Sequence, residues 1–344
     1  MADNMNNTAA VGQASHIATV IHCTILSTLL VLIIAGNGLM IYAILSTSRL
    51  RITTNYFIVS LAISDMLVGL VVIPINFAFP TALLKGYTTC LQVACFTVVV
   101  CTSSITNIVA VTIDRYLAIT SPLKYHAIMT SRRAIVTISL VWVYAFTIGF
   151  LPVMGWREKA STCQRGEVYA PGYAVFLFIT GLVFPVAIST VLYCRILKEA
   201  NRQTMRIQQI ECRVSQVITA NEHNHNRQEI CPCEVQENGS NHDKHNPHSE
   251  HCNFNRKAFR TVMYILMYFE LSWIPLFVTL LIDAFVSPLV IHLEVRTFTS
   301  LLALGNSVMD PIIYGYFNRD LRNRLKEIVS KMCRCFHRAD LMQT

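Results

Sequence analysis

The stretch Thr88–Tyr116, TTCLQVACFTVVVCTSSITNIVAVTIDRY, carries no Asp, Glu, Lys or Arg until its last three residues. From Thr88 to Ile113 it is long enough to cross a bilayer as one helix, which takes roughly 20 apolar residues. It ends in Asp114-Arg115-Tyr116, after which the chain turns polar, with Lys124 and then Arg132-Arg133. An acid beside the arginine makes a poor membrane anchor, because Asp114 offsets the charge of Arg115. The triplet is better suited to a contact that is held and then released.

The same pattern recurs along the chain. Residues 17–48, 134–156 and 168–194 contain no acid, Lys or Arg. Residues 53–84, 261–282 and 297–317 contain one charged residue each: Asp65, Glu270 and Asp310. The whole chain is 53% hydrophobic and only 14% charged, whereas soluble domains carry about 25% charged residues. The fold class expected is therefore an all-α membrane protein, a bundle of seven transmembrane helices. Prolines at 74, 152, 185, 275 and 311 fit inside such a bundle, where neighbouring helices re-satisfy the freed backbone groups.

Lys and Arg set the orientation. Of the 28, five (Lys85, Arg157, Lys159, Arg165 and Arg296) fall on one side, and the other 23 follow spans 1, 3, 5 and 7. The N-terminus is then extracellular and the C-terminus cytoplasmic. No basic region precedes the first span, so a cleavable signal peptide is not expected. Asn6, in Asn6-Asn7-Thr8, is a glycosylation acceptor on the outer side, while Asn238-Gly239-Ser240 matches the same pattern on the cytosolic side. The net charge of +8 follows from this topology and does not point to nucleic acid.

The expected organisation is an extracellular tail over 1–20, the bundle over 21–317, and a cytoplasmic tail over 318–344. A polar segment over about 200–257 is expected to be a disordered loop. It holds Cys231, Cys233, His242, His245, His248, His251 and Cys252, but without paired metal-ligand spacing. In the tail, Phe317, Leu321, Leu325 and Ile328 recur at helical spacing among basic residues, which predicts an amphipathic helix lying at the membrane interface. Cys333 and Cys335 follow it as candidates for palmitoylation. Of the twelve cysteines, Cys90 and Cys163 lie outside the membrane in this topology, where one disulfide between them is expected.

Asp65, Glu270 and Asp310 each cost about 2.5–3.5 kcal/mol at membrane depth, and such acids mark functional sites by default. With the other motifs they also carry a family resemblance. Gly36-Asn37, Leu61-Ala62-Ile63-Ser64-Asp65, Asp114-Arg115-Tyr116, Trp142, Pro185, Tyr193, Phe269-Glu270-Leu271-Ser272-Trp273-Ile274-Pro275 and Asp310-Pro311-Ile312-Ile313-Tyr314 stand in order on successive spans. The chain resembles the rhodopsin-class (class A) G-protein-coupled receptors over nearly its whole length. Asn55–Ala62, Ala94-Cys95-Phe96, Ser103-Ser104-Ile105, Pro122–Tyr125 and Pro152–Trp156 resemble adenosine receptors in particular.

The resemblance implies a set of roles. Asp114, Arg115 and Tyr116 form the cytosolic latch, with Arg115 paired to Asp114 at rest and moving toward Tyr193, Tyr314 and the G protein on activation. Pro185, Ile105 and Phe269 form a core relay beneath Trp273, and Pro275 allows span 6 to swing. Leu123 is a further contact for the G protein. Asp65, Ser104, Asn306, Ser307 and Asp310 match positions that hold an allosteric sodium ion; no other cofactor is implied. Asp310 stands where Asn is commoner, so two carboxyls face each other and titrate as a pair. Asn255 stands where many relatives place an acid facing the arginine, which predicts appreciable basal signalling. An extracellular ligand, a heterotrimeric G protein, arrestin and a receptor kinase are the implied partners, at the plasma membrane.

The matching pocket positions are mostly apolar: Val98, Cys101, Leu177, Phe178, Leu276, Phe277, Leu280 and Leu304, with Trp273 below and Thr97, Ser300 and Arg296 adding polarity. Thr97 replaces the acid that holds amines, and Leu304 replaces the lysine that holds retinal. Arg165, Gly166, Leu280 and Leu304 replace the Phe, Glu, Asn and His with which adenosine receptors hold their ligand. Each purine hydrogen bond lost removes about 1–1.5 kcal/mol. A lipid-like, small aromatic or short peptide ligand therefore stands beside a nucleoside. A transporter or channel would show inverted repeats or broken helices in two halves, and an enzyme would need a clustered nucleophile or metal set. Neither pattern is present in the sequence.

Overall fold

The computed structural model describes residues 2–78, 86–157, 169–222, 268–269, 271–286 and 291–340. All its regular elements there are helical. In chain order they are α1 (Ala2–Ser46), α2 (Thr53–Ala78), α3 (Tyr87–Thr120), a short α4 (Pro122–Ile128), α5 (Ser131–Phe150), α6 (Pro171–Phe178), α7 (Phe184–Glu222), α8 (Leu271–Phe285), α9 (Leu293–Phe317) and α10 (Arg319–Asp340). One π-helical turn, Ile179–Val183, joins α6 to α7, so the two form a single bent span ahead of Pro185.

Five of the described helical segments are long and apolar enough to cross a membrane: Thr19–Ser46, Thr53–Phe77, Tyr87–Thr120, Ser131–Phe150 and Pro171–Glu199. The sixth and seventh spans are α8, a shorter apolar helix, and α9. α9 is less apolar because its inner face carries Asn306, Ser307 and Asp310. The burial pattern is that of a protein solvated by lipid. Val31, Leu140, Val143, Phe184, Leu271 and Ile312 are exposed, while Asn37, Ser64, Asp65, Ser103 and Asn107 are fully buried. Packing between helices in lipid relies on close approach and interhelical hydrogen bonds. Both are seen here. Asn37 Nδ2 donates to Ser307 O (2.9 Å), Trp142 Nε1 donates to Ser60 Oγ (3.2 Å), and Tyr173 OH donates to Ile148 O (3.0 Å). At Gly149 a Cβ would lie 2.4 Å from Val99 Cγ2, so only glycine lets α5 press against α3. Gly86, at φ 92°, turns the chain into α3.

α10 lies across the end of the bundle. Leu321 and Ile328 are buried against Met40, Ala43, Ile44 and Ile58 of the first two spans and Leu50 of the turn between them. Glu327 on its outer face accepts from Arg324 (2.8 Å) and Lys331 (2.7 Å), and these hydrogen bonds hold its carboxyl down at about 2. The expected amphipathic helix is present.

Two expected boundaries differ. The backbone is already helical from Ala2, where residues 1–20 were expected to be a tail; Asn6 lies in this segment. α7 continues to Glu222, so residues 200–222 of the expected loop over 200–257 are helix. The cause is local: between Pro185 and Pro232 the chain has no proline or glycine to stop a helix. Asn255 and the Cys/His-rich residues 231–252 lie outside the described residues, as do Cys163 and Glu270.

Candidate functional site

Three polar or concave regions line up along the bundle axis. The outermost is a cavity of about 210 Å³ between α2, α3, the bent α6–α7 span, α8 and α9. Thr97, Val98, Cys101, Leu177, Trp273, Leu276, Phe277, Leu280, Ser300 and Leu304 all line it. All ten residues expected at a ligand pocket are thus brought to one space by four separate elements, α3, α6, α8 and α9. Phe178 lies just behind, edge-on to Phe277 at 6.4 Å between ring centroids. Trp273 forms part of the wall, and its buried indole N–H has no acceptor among the described residues. Gly181, in the π turn, faces Phe277, and a Cβ there would come within 2.8 Å of that ring.

The cavity also contains an ion pair that sequence reasoning missed. Asp283 of α8 and Arg296 of α9 both line it, and the guanidinium grips the carboxylate with Nη1 and Nη2, one to each oxygen. Their side chains are 9% and 13% exposed. Arg296 Nε also donates to Ile291 O (3.2 Å). Asp283 sits one residue past an otherwise apolar stretch and 13 residues from Arg296, so no local spacing signals the pairing.

Beneath the cavity the aromatic rings descend in steps: Phe277 to Trp273 at 6.1 Å, and Trp273 to Phe269 at 6.2 Å. Ile105, Phe269, Trp273 and Tyr193 belong to one buried cluster, with Tyr314 packed against it. Pro185 and Pro275 are partly buried on the spans that flank it.

The second region is the buried carboxyl pair. Asp65 Oδ1 accepts from Ser104 Oγ (2.9 Å) and Ser307 Oγ (3.0 Å). Asp310 lies within hydrogen-bonding reach of Asp65. Asn306 Nδ2 donates to Ser272 Oγ (2.5 Å). Asp65 Oδ2, Asp310 Oδ2 and Asn37 Oδ1 are buried without a hydrogen-bond partner. Three orphaned oxygens around two serine hydroxyls form a set that suits a hard cation, which takes oxygen ligands. The residues therefore fit the ion that the resemblance implies. Asn306 is turned toward Ser272, and its amide nitrogen is spent there. Among the described residues no group of three His, Cys, Asp or Glu could hold a metal.

The third region is at the cytosolic end. Asp114 is fully buried, and its Oδ1 accepts from Tyr125 OH (2.7 Å). Tyr125 is bonded in turn to Thr54 Oγ1 (2.7 Å), so α2, α3 and α4 are tied together through one phenol. Burial, chiefly, pushes the Tyr125 hydroxyl up to about 12. The expected resting pair differs here: among the described residues no ion pair joins Arg115 to Asp114. Tyr125 takes the acid. α3 runs four residues past Tyr116 to Thr120. Tyr116 and Arg115 are half-buried, while Leu123 is almost completely exposed at 98%. Cys90 is buried and disulfide-bonded at the outer end of α3. Cys333 is exposed on α10.

The sequence profile described as "7 transmembrane receptor (rhodopsin family)" matches residues 36–314. The chain belongs to the rhodopsin family of seven-transmembrane receptors. Adenosine receptor A2b of Mus musculus is 31% identical over 327 residues, covering 88% of each chain. Octopamine receptor beta-2R of Chilo suppressalis is 32% identical over 346 residues, covering 94% of this chain and 83% of its own. Alpha-1A adrenergic receptor of Oryzias latipes is 30% identical over 311 residues, covering 87% of this chain and 64% of its own. This rhodopsin-family receptor is a multi-pass plasma-membrane protein that couples an extracellular ligand to a G protein; it is a signalling receptor and not an enzyme.

Proposed function

We propose that this receptor responds to a small, uncharged, largely apolar ligand seated between Thr97, Trp273 and the Asp283–Arg296 pair. The observation that carries this is the charge balance of the cavity. Asp283 and Arg296 are its charged lining residues, and they neutralise each other. A cationic amine would have to take Asp283 from a bidentate arginine, since the span-3 position suited to an amine is Thr97. A carboxylate would have to take Arg296 from Asp283. Both exchanges break a buried bidentate ion pair, at a cost of several kcal/mol. An uncharged ligand leaves the pair intact and meets Thr97 and Ser300 as hydrogen-bonding groups.

The adenosine receptors among the relatives make a nucleoside the second reading. Against it, Leu280 and Leu304 put hydrocarbon where a purine needs donors and acceptors. The N-terminus faces outward and the C-terminus inward, in keeping with the placement of the basic residues. Agonist binding moves the Phe277–Trp273–Phe269 stack and, through it, the cytosolic ends where Arg115 and Leu123 meet the G protein. Arrestin and a receptor kinase act on the same cytosolic face. Sodium at Asp65 and Asp310 favours the resting state. The orphaned oxygens of those two carboxyls support that assignment.

The test is a ligand panel on transfected cells, read by cyclic AMP and calcium. Uncharged aromatic and lipid-like compounds should activate at lower concentrations than adenosine or octopamine. A response to octopamine or another charged amine at lower concentration than any uncharged compound overturns the reading.

A further inference from the structure

The bent span formed by α6 and α7 has no side chain at the level where it meets Phe277. The π turn Ile179–Val183 places Gly181 in the wall of the ligand cavity, beside Phe277 of α8. A π turn carries one residue more than an α turn, and such turns are frequent at functional sites. Its neighbours hold this one in place. Thr180 Oγ1 donates to Phe176 O (2.7 Å), Leu182 is buried in the core, and Ile179 and Val183 are exposed.

The consequence of the missing side chain is seen in the ring it faces. A Cβ at Gly181 would lie 2.8 Å from Phe277 Cζ, 3.3 Å from Cε1 and 3.8 Å from Cε2. The outer edge of the ring therefore rests against span-5 backbone. Phe178 meets the same ring edge-on at 6.4 Å, and Trp273 is tilted against it at 6.1 Å. Carbon contacts relax to about 3.5–4.0 Å, so any side chain at 181 must drive the ring roughly 1 Å off its seat. Span 5, Phe178 and Trp273 block the other directions. The free direction is into the cavity, whose volume is only about 210 Å³.

We infer that Gly181 is a specificity-determining residue for the ligand. With no side chain there, Phe277 rests on the span-5 backbone and leaves room in the cavity for a planar apolar group of the ligand, next to Val98 and Cys101 of α3. A side chain at 181 would fill that room indirectly, by way of the ring. This rests on the reading of the cavity as the ligand site. It adds which part of the ligand meets which wall: apolar bulk at Gly181 and Phe277, hydrogen-bonding groups toward Thr97 and Ser300.

Cys101 gives a readout that needs no agonist, since it lines the same cavity as a free, partly exposed thiol. The full-length receptor in detergent, without ligand, is treated with methyl methanethiosulfonate or the bulkier benzyl methanethiosulfonate. Labelling at Cys101 is timed by peptide mass spectrometry, with exposed Cys194 as the internal reference. Gly181→Ala should slow the benzyl reagent at Cys101 about tenfold and leave the methyl reagent nearly unchanged. Phe277→Leu should speed the benzyl reagent, and in the Gly181→Ala background it should restore the parent rate. Gly38→Ala, at a helical glycine with nothing within 4 Å, should change neither rate. Equal slowing of both reagents by Gly181→Ala would mean a general closing of the bundle, and no slowing would mean that the ring is not held on span 5. Either result overturns the proposal. It also falls if Phe277→Leu leaves the benzyl rate of the parent unchanged, which decides the matter even if Gly181→Ala does not fold. A response to a charged amine in the ligand panel would overturn the ligand class and leave these rates untouched, so the two readings fail separately.

Discussion

Breaking the Asp283–Arg296 pair from one side should cost more than deleting it. Both side chains are at least 87% shielded from solvent, and the contact is bidentate. Breaking such a buried pair from one side costs about 3–5 kcal/mol. The slight exposure at the cavity mouth places Asp283→Asn near 3 kcal/mol, since Arg296 keeps Ile291 O as one acceptor. The double variant Asp283→Asn/Arg296→Met removes both charges and keeps the stem packing, so it should lie within about 1 kcal/mol of the parent. At roughly 2 °C per kcal/mol, the single variant should unfold about 6 °C lower, and the double variant within about 2 °C of the parent. The assay is thermal unfolding of ligand-free receptor in detergent, completed as a double-mutant cycle. A charge swap, Asp283→Arg/Arg296→Asp, should recover most of the single-variant loss. Equal destabilisation by the single and double variants would refute the reasoning, because the two residues would then act independently. The pair also locks α8 to α9 at the cavity, so Asp283→Asn should weaken uncharged ligands and admit anionic ones.

Three other outcomes follow from the geometry. Sodium should lower agonist affinity relative to a large organic cation, and Asp65→Asn should erase the difference; superimposable competition curves in the two salts for the parent receptor would remove the ion from the account. Tyr125→Phe removes a hydrogen bond to a charged carboxylate, worth about 1.5–3 kcal/mol, and frees Asp114 for Arg115. Ligand-free second-messenger output should therefore fall, and a rise would show that the phenol restrains the latch. Gly149→Ala puts a methyl 2.4 Å from Val99 Cγ2 and 3.0 Å from Cys95 O. Carbon contacts relax to about 3.5–4.0 Å, so α3 and α5 must part by roughly 1 Å, at a cost of about 1–3 kcal/mol. Gly38→Ala, with nothing within 4 Å, should be neutral or slightly stabilising in the same unfolding assay.

The spans were legible because a lipid solvent imposes a length and a near absence of charge that few other constraints imitate. Their ends were less so. α3 runs past the Asp114–Tyr116 triplet and α7 past residue 200, because a helix ends where backbone chemistry stops it and not where the membrane does. The ligand cavity was reached through matching positions: Thr97, Leu177, Trp273 and Ser300 carry no local mark of sharing a space. Asp283 went unnoticed because its partner comes from another helix.

The sequence by itself determined the class of this protein. Seven charge-poor stretches, one-sided basic residues and ordered motifs leave a helical membrane receptor of the rhodopsin family. Each of those signals is local or one-dimensional, so it survives without coordinates. Only the tertiary structure decided which charges meet. It gave Asp114 to Tyr125 instead of Arg115, and closed Arg296 on Asp283. The physical reason is that an ion pair or a hydrogen bond depends on ångström separations between side chains on different helices. Those separations are fixed by packing of the whole bundle, which no spacing along the chain encodes.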